Sequence, residues 1–218
     1  RATGGGGRRV SRVAQAPAWE LERGTIPLDK PIVVGILNVT PDSFSDGGRY
    51  LSPDAALRHA ETLVGHGADI LDLGAESTAP GAEPVTADEE WRRLEPVLSE
   101  LVRRFPQLPL SVDTVKGVTA RRALELGAWA VNDVSGLRLD PTIAEACADH
   151  RAGLVLMHSR GTVSEMATYQ HAEYRDVVTD VVAELRRSVA VAEACGVPRA
   201  RVVVDPGLGF AKTPEQSV

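Results

Sequence analysis

The sequence predicts an α/β fold of the (β/α)8-barrel type, and three observations carry that prediction. From residue 32 onward, short apolar runs alternate with longer helix-periodic runs, the pattern of a parallel sheet covered by helices. After the first of those runs stands Asn38-Val39-Thr40-Pro41-Asp42, which cannot supply the G-x-G-x-x-G turn of an open dinucleotide fold. Polar residues (Asn38, Glu76, Asp113, Asn132, His158 and Asp205) follow six successive strand runs, as expected where strand ends converge on one barrel mouth.

Taken in order, residues 1–16 carry the Gly4–Gly7 run and Arg1, Arg8, Arg9 and Arg12, and are expected to form a flexible tail. They lack the hydrophobic core of a signal peptide, and without a Met the chain is not expected to begin at a natural N-terminus. Residues 19–28, WELERGTIPL, alternate around Gly24 as a β-hairpin does, and are expected to plug the N-terminal face of the barrel. Strands are expected at 32–37, 70–73, 110–112, 130–131, 153–156 and 202–204. Helices are expected at 53–66, 88–105, 116–126, 141–150 and 172–195. Ser52-Pro53 and Asp140-Pro141 place a capping side chain before a first-turn proline, and Gly127 and Gly196 stand where helices stop. Residues 17–218 read as one barrel domain. Its barrel portion is on the order of 60 residues short of the roughly 250 of a complete barrel. The fold is therefore expected to be truncated after its sixth strand, and residues 1–218 alone are expected to be inactive.

Composition narrows the function classes. The 218 residues carry 24 Lys+Arg against 30 Asp+Glu, a net charge of −6, which argues against nonspecific nucleic-acid binding. Hydrophobic residues make up 43% and charged residues 25%, so the chain has the makings of a globular core rather than of a disordered one. No apolar run approaches the roughly 18 residues of a membrane span. The two cysteines, Cys147 and Cys195, are too few for a disulfide scaffold and lack zinc spacing. A reducing, cytoplasmic setting is expected.

Two carboxylates stand at otherwise apolar strand ends, Asp113 in LSVDT and Asp205 in VVVDPG. Either alone reads equally well as a cap for the next helix. Together with Asn132 at the same face they form a set of acceptors and an amide suited to a flat, amino-rich heterocycle. The run 207–213, GLGFAKT, lacks the spacing of a phosphate-binding P-loop and reads as a glycine-bent turn. His158 reads as a packed mouth residue, since no second His stands at ligand spacing, and Arg92-Arg93 and Arg103-Arg104 as a solvated helix face. Residues 35–48, GILNVTPDSFSDGG, run from a strand into a polar loop whose composition core packing does not explain. Such loops act as lids over a barrel mouth.

That stretch resembles the signature of the dihydropteroate synthase family. The resemblance continues through LDLGAESTAPGA (71–82), SVDT (111–114), VNDVSG (131–136), LMHSRGT (156–162) and DPGLGFAKT (205–213). It implies a (β/α)8 barrel that joins p-aminobenzoate to 6-hydroxymethyl-7,8-dihydropterin diphosphate, releasing diphosphate and giving dihydropteroate in folate biosynthesis. It also implies a Mg²⁺ requirement, a cytoplasmic homodimer and a sulfonamide target. By the same resemblance Asp113, Asn132 and Asp205 hold the pterin, with Asp113 and Asp205 as catalytic carboxylates and Met157 packed on the ring. Asn38 is the implied Mg²⁺ ligand, Thr78 the implied diphosphate contact, and Phe44 and Pro80 the implied walls of the p-aminobenzoate site. Ala79 departs from the family's usual Arg after Ser-Thr, and Ala75 and Ala211 replace usual glycines. The first departure leaves open a pterin-binding paralogue without synthase activity, or a pterin-dependent methyltransferase-type domain.

Overall fold

The computed structural model describes residues 17–40 and 53–218. A hairpin of β1 (Ala18–Leu21) and β2 (Gly24–Pro27) comes first. There follow β3 (Val34–Asn38), α1 (Pro53–Gly65), β4 (Ile70–Gly74), α2 (Ala87–Arg104), β5 (Leu110–Asp113) and α3 (Gly117–Leu126). The chain continues as β6 (Ala130–Asp133), α4 (Thr142–Asp149), β7 (Gly153–Met157), α5 (Val177–Ala194) and β8 (Val202–Asp205). The strands β3 to β8 form one parallel sheet of six, ordered as in the sequence. No reversal of order occurs, so the sheet has no topological switch point of the doubly wound kind. Successive helices pack on their neighbours along the sheet, α1 on α2 through to α4 on α5.

Strand alternation explains both the core and the site. Leu37, Leu71, Leu73, Leu110, Val112, Val131, Leu154 and Leu156 point to the helices and are buried against Leu94, Leu98, Leu101 and Ile143. The residues between them face the other side of the sheet. Because side chains alternate with period two, the ends of β5 and β8 turn Asp113 and Asp205 away from that core. Burial of the helix-facing leucines stabilises the fold by roughly 2 kcal/mol each.

Local chemistry fixes the helix ends. Thr86 accepts from the Glu89 N–H (3.2 Å) at the start of α2, whose first turn carries Asp88, Glu89 and Glu90 and whose last turn carries Arg103 and Arg104. That polarity complements the helix dipole. Asp176 caps α5 by accepting from the Thr179 N–H (2.8 Å), which is why this helix begins at Val177 and not near 172. The first parallel strand begins at Val34 rather than 32, where its ladder with Ile70 starts.

The hairpin lies at the N-terminal ends of the parallel strands. Trp19, Leu21 and Ile26 pack with Ile70 and Ala130, and Trp19 Nε1 donates to the Arg201 carbonyl (2.8 Å). Gly153 opens β7 directly under the Trp19 indole, where a Cβ would collide with the ring. Among the described residues no helix is long and apolar enough to cross a membrane.

Candidate active site

The parallel register brings five of the sequence-predicted residues to one rim. Asn38 pairs with Gly74, Gly74 with Asp113, Asp113 with Asn132, and Met157 with Asp205. Gly74 separates Asn38 from Asp113; a Cβ built there would lie 3.4 Å from Asn38 Oδ1 and 3.5 Å from Asp113 Oδ2. Below the rim is a cavity of about 360 Å³, polar at Asp72, Ser111, Asn132 and Asp205 and apolar toward Ile26 and Ile36.

Asp72 is the residue that the sequence reading missed. It is buried, and its carboxylate accepts from Ser111 Oγ (2.5 Å) and from Asn132 Nδ2 (2.9 Å). The signal was present: Asp72 interrupts the apolar run of LDLG as Asp113 interrupts that of LSVDT. Asp205 Oδ1 accepts from the Gly207 N–H (2.7 Å), which orients its carboxylate. Burial, followed by the negative charges of Asp72, Asp133, Glu90 and Glu76, pushes the Asp113 carboxyl well above the usual carboxylate range. Burial also pushes Asp72 up, opposed by its bonds from Ser111 and Asn132. A pit of crowded carboxylates of this kind favours a ligand rich in N–H donors.

Two loops border the rim. In the loop between β4 and α2, Glu76 accepts from the Val85 N–H (2.9 Å) and pairs with Lys116 (2.8 Å). Lys116 also lies 3.4 Å from Glu90, a fully buried carboxylate that accepts from Thr114 (2.9 Å) and Thr119 (2.7 Å). Arg93 corrects an expectation. Its side chain is 17% exposed and donates to the Ala75 carbonyl (3.0 Å), so it braces this loop instead of facing solvent. Thr78 is half-buried on the loop, Ala79 and Pro80 are exposed, and Gly81 N–H donates to the Ser164 carbonyl (3.4 Å). Phe44, and the rest of the loop 41–52, lie outside the described residues.

On the opposite side Met157 packs with Val115, Val134, Val163 and Met166, with Phe210 against them. His158 is buried as expected, between Glu184 and Lys212. The run 207–213 is a glycine-bent turn, with Gly207 at φ 65° and Gly209 at φ 80°. Among the described residues no group of three or more His, Cys, Asp or Glu side chains is arranged to hold a metal ion.

Residues 34–218 match the family described as pterin binding enzyme. The chain is 44% identical over 185 residues to the dihydropteroate synthase of Bacillus subtilis, covering 85% of this chain and 61% of that protein. It is 48% identical over 181 residues to that of Mycobacterium leprae, covering 83% of this chain and 63% of that protein. The chain thus spans somewhat over three fifths of the length of these two relatives. The structure of Xanthomonas albilineans dihydropteroate synthase with 4-aminobenzoic acid superimposes with a TM-score of 0.83 at 42% identity, over 93% of this chain and 71% of that one. The Yersinia pestis enzyme in a sulfonamide drug complex superimposes with a TM-score of 0.83 at 38% identity, over 92% of this chain and 71% of that one.

Proposed function

Because the chain belongs to the pterin binding enzyme family, we propose that the complete protein is a dihydropteroate synthase built as a (β/α)8 barrel. It condenses 6-hydroxymethyl-7,8-dihydropterin diphosphate with p-aminobenzoate. The observation that carries this reading is the cluster of Asp72, Asn132 and Asp205 in the polar lining of one cavity, with Asp113 beside Asn132 in the strand register. Closure into eight strands asks for two strand–helix units more than the six of this sheet, with the hairpin plugging the far end.

In this reading Asp113 and Asp205 accept N–H bonds from the pterin, Asn132 contacts its amide edge, and Met157 covers the ring. The C–O bond to diphosphate breaks with the electron pair leaving on oxygen. The positive charge that develops on the pterin methylene is stabilised by the nearby carboxylates. The aniline nitrogen forms the new C–N bond and loses its proton. Holding the weak nucleophile in line, a task assigned to Pro80 and Phe44, supplies much of the rate. Thr78 contacts the diphosphate.

Asn38, exposed at the end of β3, is the residue that would hold Mg²⁺. One amide oxygen suits an ion that keeps several waters and takes the rest of its shell from substrate phosphates. When bound, the ion would neutralise the diphosphate as it leaves. A cytoplasmic homodimer sensitive to sulfonamides completes the proposal.

The test is direct. Full-length protein with Mg²⁺, the pterin diphosphate and p-aminobenzoate should form dihydropteroate, and failure to do so refutes the synthase reading. Ala79, exposed on the loop between β4 and α2, favours a second reading, a pterin-binding paralogue or methyltransferase-type domain. Calorimetric pterin binding without p-aminobenzoate-dependent turnover would select it.

A further inference from the structure

Lys212 follows the turn after β8, and it is 2% exposed, one of the largest fully buried side chains in the fold. Its Nζ donates to the carbonyls of Gly207 and Phe210, both at 3.0 Å, and to His158 Nδ1 at 2.9 Å. Those contacts use all three N–H groups of the ammonium. With Nδ1 accepting, His158 carries its proton on Nε2, which donates to Glu184 Oε2 at 3.0 Å. Arg160 binds the other Glu184 oxygen (2.5 Å) and lies over the Tyr174 ring (3.9 Å). The Tyr174 hydroxyl in turn donates to the Ala211 carbonyl (2.9 Å), so the path returns to the residue before Lys212. The circuit ties α5 and the end of β7 to a single loop.

That loop belongs to Asp205. The Gly207 N–H holds Asp205 Oδ1, while the Gly207 carbonyl is held by Lys212. Gly207 itself presses on the His158 carbonyl so closely that no Cβ could be placed there. Among the described residues, no carboxylate forms an ion pair with Lys212. A buried cation without one is costly, and a methionine would fill the same space without that cost. What methionine lacks is the means to bond the two loop carbonyls. Burial holds the Lys212 ammonium down at about 8, with the Asp205 charge working against that fall, so the clamp is cationic at neutral pH.

We infer that Lys212 is a positioning residue, which sets the Asp205 carboxylate for the pterin by clamping the intervening loop through its carbonyls. The inference rests on Asp205 being a pterin ligand. Its role is distinct from contact with the substrate, because all three of its N–H groups are already engaged by the protein.

The experiment uses full-length protein, calorimetry with 6-hydroxymethylpterin, and steady-state kinetics. Lys212→Met should weaken pterin binding at least about tenfold and raise KM for the pterin diphosphate more than it lowers kcat. Its thermal transition should remain cooperative. Lys212→Gln, which keeps two N–H donors on a shorter stem, should fall between Lys212→Met and wild type. Pterin affinity within about twofold of wild type in Lys212→Met overturns the inference. So does failure of both variants to fold, since Lys212 would then be holding up the domain rather than the loop. Asp205→Asn separates the two levels of the argument. If it binds pterin like wild type, the assignment of Asp205 has failed and takes this inference with it. If it loses pterin while Lys212→Met does not, only the positioning role has failed.

Discussion

Replacing Asp133 by Ala should destabilise the protein by an amount that the geometry allows to be worked out. The side chain is fully buried at the end of β6, next to Asn132. One oxygen accepts from the Ser135 N–H (2.8 Å) and Ser135 Oγ (2.7 Å), the other from the Leu137 N–H (2.5 Å). These bonds hold a turn in which Gly136 has φ 59° and Leu137 φ 66°, the latter a conformation unfavourable for a leucine. Without the carboxylate two backbone N–H groups are left buried and unpaired, at about 1–3 kcal/mol each. Part of that loss is offset, because burial already pushes the Asp133 carboxyl up and its removal relieves a desolvated group. A net loss of about 2–4 kcal/mol results, which for a domain of this size lowers Tm by about 4–16 °C. Asp133→Asn should lose at least half as much, since its amide presents a donor to one of the two N–H groups. Thermal melting followed by circular dichroism reads both variants. A Tm for Asp133→Ala within about 1 °C of wild type would refute the reasoning, because the turn would then stand without its anchor.

Two further predictions concern the site. Asp113 is pushed well above the usual range in the free protein, whereas N–H donors of a pterin favour its ionised form. Pterin binding should therefore release a proton, and affinity should climb as pH rises through the Asp113 titration and level off above it. Calorimetry in buffers of differing ionisation heat detects the proton; Asp113→Ala should bind at least about tenfold more weakly and release none, and unchanged affinity would remove Asp113 from the site. Ala79→Arg should tighten substrate binding or raise turnover, because a guanidinium on this exposed loop offers a bidentate partner to diphosphate or carboxylate. Equal kinetics in both forms would mean that the position is not used.

The sequence by itself determined the strand–helix alternation, the absence of a dinucleotide turn, and the placing of Asp113, Asn132 and Asp205 toward the same ends of three strands. Each of these depends on neighbours a few residues away, where period-two alternation, caps and glycine breaks act. It also supplied, through the resemblance of its motifs, the family that the chain belongs to. Only the tertiary structure decided which polar groups satisfy one another. Asp72 meets Ser111 and Asn132 from positions 39 and 60 residues away, and Lys212 meets His158 across 54. Arg93 looked like a solvated helix residue until the fold brought the Ala75 carbonyl to it. Such partners share no local period or motif spacing. They are set by the curvature and register of the sheet, and once they are buried the cost of an unpaired polar group fixes which arrangement survives.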